Sequence, residues 1–305
     1  MGSGGGRGRA NGVERVVLLS QNGLDVDRKL AWRVADIDVI LTGHTHDALP
    51  AVEVVSDTLL VAAGSHGKFL ARLDLDVAGG RVVDYGFRLI PVFSDAITPD
   101  PEISAVIENI RAPHAETLGR VLGHTESLLY RRGNFNGTFD DLICAALIEE
   151  RDAEIALSPG FRWGASLPPG EAITVEQVYN QTAITYPKVY RRAMSGAFLR
   201  QVLEDVADNL FNLDPYYQQG GDMVRVGGMG YAIDISKTIG GRISDMTLLA
   251  TGEPIDPARD YMVAGWASIN ESVEGPPIYD LLSRYIENHK VIDIPDNPNI
   301  KVTGA

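Results

Sequence analysis

Apolar residues in the first third of the chain fall into short, β-branched runs. Those at 16–19 (Val16-Val-Leu-Leu) and 37–42 (Ile37-Asp-Val-Ile-Leu-Thr) read as buried strands of a parallel sheet. Between them, 25–35 carries helical spacing, so the three segments form one βαβ unit. Three more strand-like runs follow at 58–63, 69–77 and 82–92. Prolines with Asp, Ser and Thr at 94–101 then mark a boundary. Beyond it the spacing predicts helices over 102–118, 139–150, 195–212 and 277–288, and strands over 231–235, 246–249 and 261–264. The first part is α/β and the second α+β. This gives three segments: a flexible start at 1–12, an α/β portion at 13–93, and an α+β domain at 94–305.

Composition narrows the function classes. A net charge of −14 and a pI near 4.8 argue against nucleic acid or an anionic membrane surface as partner. An anionic substrate would need a local cationic site to overcome that field. No stretch reaches the length of a membrane span. The glycine-rich opening 1–12 lacks the apolar core of a signal peptide. Cys144, the one cysteine, lies in a helical apolar pattern and reads as a core residue rather than a nucleophile.

The sharpest chemical feature is Gly43-His-Thr-His46, directly after the strand at 37–42. The carboxyl edge of such a sheet is where ligands sit. Two imidazoles there, His44 and His46, are candidate metal ligands, with Asp47 as a supporting acceptor. Arg162, in Ser158-Pro-Gly-Phe-Arg-Trp-Gly164, has the planar fork that suits a tetrahedral oxyanion. Trp163 beside it either walls a pocket or fills core. The loop 218–225 adds Asp222 and a second guanidinium, Arg225, on a glycine-flexed backbone. His66 is expected to support the metal edge rather than to ligate. His114, His124 and His289 show no partner pattern.

These stretches resemble a known family. "VVLLSQNG", "DVILTGHTHDALP" and "AAGSHGKFLARLDLDV" are similar to the last part of a calcineurin-like metallophosphoesterase domain. "FDDLICAALIEERDAEIALSPGFRWG", "TYPKVYRRAMSGAFLRQVLEDV" and "YMVAGWASINE" resemble the C-terminal domain of the 5′-nucleotidase family. "SPGFRWG" and "YYQQGGDMVRVGGMGYAIDI" look like the SoxB-type thiosulfohydrolases of bacterial sulfur oxidation within it. The implied fold is part of a metallophosphoesterase sheet layer followed by the α+β 5′-nucleotidase C-terminal domain.

The resemblance also implies chemistry. Such enzymes hold two metal ions, Mn²⁺ in SoxB-like proteins with Zn²⁺ as the alternative. His44 and His46 match family ligands, and Gln21 occupies a third ligand position with an amide where imidazole is expected. The family's carboxylate ligands would precede Val13, so the chain reads as a C-terminal portion, inactive in isolation. Arg162 matches the arginine that grips the anion. Tyr186 and, less clearly, Trp266 match the ring positions with which nucleotidases stack a base. Three functions follow. The first is release of sulfate from a cysteine S-thiosulfonate on a carrier protein, in the periplasm. The second is hydrolysis of a nucleotide phosphoester, and the third is a non-catalytic carrier-binding module.

Overall fold

The structure, a computed structural model, describes residues 12–131, 133–161, 164–268 and 273–304. The chain forms two compact units, Met1–Pro99 with Leu213–Gly221 and Asp100–Asn212 with Asp222–Ala305.

In the first unit, β1 (Val17–Ser20), α1 (Leu24–Arg33) and β2 (Val39–Thr42) make the expected βαβ unit, with β1 and β2 parallel and Val17 beside Val39. β3 (Glu53–Val55) and β4 (Thr58–Val61) complete a sheet of order β1-β2-β4-β3, in which only β3 runs antiparallel to its neighbour. Asp25 and Asp27 in the first turn of α1 and Arg33 in its last complement the helix dipole. Leu24 and Ala31 of the helix close on Ile40 and Leu60 of the sheet, a small core under one face. Among the described residues β1 has one neighbour, and Leu19 on it is 78% exposed. β5 (Phe69–Ala78) and β6 (Arg81–Pro91) form a separate antiparallel hairpin.

The second unit begins with α2 (Pro101–Arg111), whose N-terminus is capped by Asp100 accepting from the Glu102 and Ile103 amides at 2.9 and 3.0 Å. The single helix expected over 102–118 is broken. A 3₁₀ turn at Ala112–His114 precedes a short α3 (Ala115–Leu118), because Pro113 has no amide hydrogen to continue the ladder. There follow β7 (Val121–Thr125), α4 (Thr138–Arg151), β8 (Ile155–Ser158), β9 (Ala172–Thr174), α5 (Val175–Thr182), β10 (Tyr190–Ser195) and α6 (Gly196–Phe211). The chain ends with β11 (Arg225–Gly227), β12 (Met229–Asp234), β13 (Ile243–Leu248), β14 (Asp260–Gly265), α7 (Ile278–His289), β15 (Val291–Ile292) and β16 (Ile300–Thr303).

Its main sheet has order β10-β14-β8-β11, flanked by three-stranded sheets β13-β12-β16 and β15-β7-β9. α4 packs on β8, β11 and α7, burying Phe139, Leu142, Ile143, Ala146 and Leu147. A second core gathers Leu199 and Leu203 of α6 with Met229, Tyr231 and Ile233 of β12. The fold is thus an α/β layer followed by an α+β domain, as the apolar spacing implied.

Candidate functional site

The carboxyl ends of β1 and β2 bring Gln21 and the Gly-His-Thr-His turn together. The Gly43 amide donates to the Ser20 carbonyl at 2.9 Å. A β-carbon at Gly43 would sit 2.7 Å from Gln21 Oε1 and 3.2 Å from that carbonyl, so a side chain there would displace the Gln21 amide and crowd the end of β1. His44, His46 and His66 all adopt positive φ, at 74°, 59° and 59°. That left-handed backbone is uncommon outside glycine, although His adopts it more readily than most residues, and it concentrates at functional sites. His46 and His66 meet edge to face with ring centroids 6.0 Å apart. His44 Nε2 donates to the Gln219 carbonyl at 2.9 Å.

Beneath this edge lies a carboxylate that spacing alone did not single out. Asp27 is fully buried, accepts from Ser20 Oγ at 2.6 Å and from Asn22 Nδ2 at 3.3 Å, and so ties α1 to the end of β1. Its sequence signal, an acid in the first turn of a helix, is shared by solvent-facing acids such as Asp25. The donor set at the edge is therefore imidazole and amide. Among the described residues no three His, Cys, Asp or Glu side chains are placed to hold a metal ion. A set of two imidazoles and a neutral amide does not fit a di-metal pair, which needs carboxylates to balance its charge.

The second unit holds the candidates for anion recognition. Arg162 and Trp163 lie outside the described residues, but residues 158–161 before them have defined partners. Ser158 Oγ accepts from Trp266 Nε1 at 2.8 Å, Phe161 packs edge-on to Trp266 at 6.2 Å, and the Pro159 carbonyl accepts from Arg131 at 2.8 Å. Gly160 lies against the backbone of Asp222, close enough that a β-carbon would approach its carbonyl carbon to 2.9 Å. Residues 158–161, Asp222 and Trp266 are thus brought together.

Arg225 is 1% exposed, and its partners are the chain's own. Its Nη2 donates to Asp222 at 3.0 Å and to the Gly133 carbonyl at 2.6 Å, while Nε faces Asp140 at 3.2 Å. Fully buried Asp140 also takes Arg131 Nε at 2.8 Å, and Arg131 reaches on to the Gln181 carbonyl at 2.6 Å. One carboxylate thus serves two guanidinium groups that hold the 133, 159 and 181 backbones. Arg131 gave no sequence signal beyond being one of two adjacent arginines. Asp141, the next residue after Asp140, is pushed up to about 6, first by burial, against a bond from Asn297 Nδ2 at 2.9 Å, with Asp140 adding repulsion. Cys144 is buried and burial pushes its thiol up, which removes it as a nucleophile. Trp266 is 3% exposed and belongs to the core, whereas Tyr186 is 45% exposed. No contact among the described residues joins those two rings.

The sequence profile of the 5′-nucleotidase C-terminal domain matches residues 121–280, just over half the chain. The chain belongs to the 5′-nucleotidase family. Its resemblance to solved members is extensive. It matches a Thermus thermophilus sulfate thiohydrolase SoxB, solved in complex with glycerol, at TM-score 0.94 and 36% identity over 99% of this chain and 57% of that one. A 5′-nucleotidase precursor, also from Thermus thermophilus, matches in fold, at TM-score 0.83 and 20% identity over 100% of this chain and 67% of that one. Among curated proteins, the trifunctional nucleotide phosphoesterase YfkN of Bacillus subtilis is 24% identical over 77% of this chain and 16% of its own length. The 5′-nucleotidase of Bos taurus is 24% identical over 78% of this chain. The chain spans about half of that bovine relative, 46% of its length. These family members are hydrolases. No helix among the described residues is long and apolar enough to cross a membrane.

Proposed function

We propose that the chain contributes the substrate-recognition domain and the two-histidine edge of a hydrolase that releases sulfate from a cysteine S-thiosulfonate held on a carrier protein, in bacterial sulfur oxidation. The observation that carries this reading is the 36% identity kept with SoxB across 99% of the chain, against 20% with the nucleotidase from the same genus. A periplasmic setting and a manganese or zinc centre belong to the same proposal. His44 and His46 would give imidazole donors to that centre and Gln21 an amide oxygen. No three His, Cys, Asp or Glu side chains among the described residues are placed to hold a metal ion, so the share of the chemistry proposed for this chain is recognition. Arg162 is the residue proposed to orient the sulfonate, on a loop held by Ser158, Pro159 and Gly160. A guanidinium fork matches two oxygens of a tetrahedral anion, which an ammonium cannot. Asp222 and Arg225 shape the same region, and buried Arg225 acts there through loop geometry.

The second reading, hydrolysis of nucleotide phosphoesters, draws on the names of the curated relatives. It needs two rings around a base, and Trp266 offers no open face. A competition titration separates the two. A thiosulfonated carrier peptide should bind, weaken with added salt, and lose about tenfold in affinity in Arg162→Lys, equivalent to about 1.4 kcal/mol. Adenosine should not displace it. Tight adenosine binding that disappears in Tyr186→Ala overturns the sulfur reading.

A further inference from the structure

Residues 213–221 pack within the first unit although they follow the helix α6 in sequence. Asp214 pairs with Lys29 of α1, 185 residues earlier. The Tyr216 ring lies under two cations of the same helix, Lys29 Nζ at 4.4 Å and the Arg33 guanidinium at 5.6 Å from its centroid. Three residues on, the Gln219 carbonyl meets His44 Nε2 at 2.9 Å, across 175 residues of sequence. A carbonyl oxygen can only accept, so Nε2 carries the hydrogen, and the lone pair of the neutral ring sits on Nδ1. Gly220 then passes over the ring with φ +75°, where a β-carbon would overlap His44 Nε2.

We infer that 213–221 is a strap that positions His44. It is anchored on α1 through Lys29, Arg33, Asp214 and Tyr216, selects the Nε2–H tautomer through the Gln219 carbonyl, and leaves Nδ1 as the nitrogen that accepts a proton or a ligand bond. Gly220 is a positioning residue, since nothing larger fits between backbone and ring. With α1 the strap borders a half-open cleft of about 650 Å³, whose walls include Asn22, Val26, Leu30, Arg33, Tyr216 and Gln218. Tyr216 is the ring anchor three residues before the Gln219 carbonyl, so its loss should free that carbonyl from His44. The inference concerns ring geometry and stands whether or not the sulfur reading does.

Long-range ¹H–¹⁵N correlation spectra of the full chain with labelled histidine test it. His44 is assigned by its loss in His44→Gln, and the other five of the six histidines serve as folding controls. The wild type should show His44 as the Nε2–H tautomer. Gly220→Ala and Tyr216→Ala should each move His44 to an averaged pattern while the remaining histidines keep their shifts. Tyr216→Phe, which keeps the ring, should preserve it. A wild-type His44 with its hydrogen on Nδ1 overturns the inference, as does a His44 signal unchanged in both Gly220→Ala and Tyr216→Ala. Should Gly220→Ala fail to fold, Tyr216→Ala decides alone, because Tyr216 packs on α1 while Gln219 and Gly220 meet the ring.

Discussion

Asp141 shows how one side chain can make stability depend on pH. Its folded-state value of about 6 lies above the ordinary 3.8, because burial disfavours the charged form. The folded chain therefore binds the proton more tightly than the unfolded chain. Stability from the protonated form is complete below pH 4 and is lost as pH rises through 6. Asp141→Asn should accordingly stabilise the protein at pH 8 by about 1–2 kcal/mol, after discounting for partial solvent access, and leave it unchanged at pH 4. Thermal melts at the two pH values check this, and a larger gain at pH 4 contradicts it. Substituting its neighbour Asp140 should destabilise the protein instead. Asp140→Asn removes the charge that Arg131 and Arg225 share, taking a carboxylate partner from Arg131 and leaving Arg225 with Asp222. The expected loss is about 3–5 kcal/mol in denaturant titration.

Among the elements, those with long periodic patterns were legible from sequence. The βαβ unit, α4, α6 and α7 formed within two residues of expectation, because apolar spacing and burial agree there. The strands β7, β8, β9, β11 and β15 escaped notice, being two to five residues long and defined by partners far away in sequence. The candidate site divides in the same way. Gly43, His44 and His46 are a contiguous motif, whereas the Gln219 group at His44 is a backbone carbonyl, to which side-chain identity gives no clue. Asp27, Arg131 and Asp140 act through single buried contacts that have no spacing to detect. Helix α5 offers an element-scale test. Thr174 and Gln177 form a reciprocal capping box at its N-terminus. Thr174→Ala should cost about 1 kcal/mol in denaturant titration, and Thr174→Ser should recover most of it.

For the whole molecule, the donor inventory sets what metal binding can be. Two imidazoles and one amide at the edge should take at most one Mn²⁺ or Zn²⁺, weakly. Isothermal titration that finds two tight sites contradicts this. Gln21→His should tighten that one site without creating a second, and should not by itself give hydrolysis of a thiosulfonated carrier or a nucleotide. Histidine adds a donor, but two adjacent cations still need carboxylates between them. The sheet margin at β1 carries a different consequence. Its outer amides and carbonyls have no strand beside them among the described residues, and Leu19 and Val17 stand open on it, 78% and 50% exposed. Such a border is a template on which a second chain can lay its own extended segment. The 305-residue polypeptide taken by itself should therefore associate through that border as its concentration rises. Light scattering should rise steeply with protein concentration at neutral pH, despite a net charge of −14 that keeps molecules apart. Leu19→Lys, which places a charge on that border, should push the onset of association to higher concentration while leaving the melting temperature nearly unchanged.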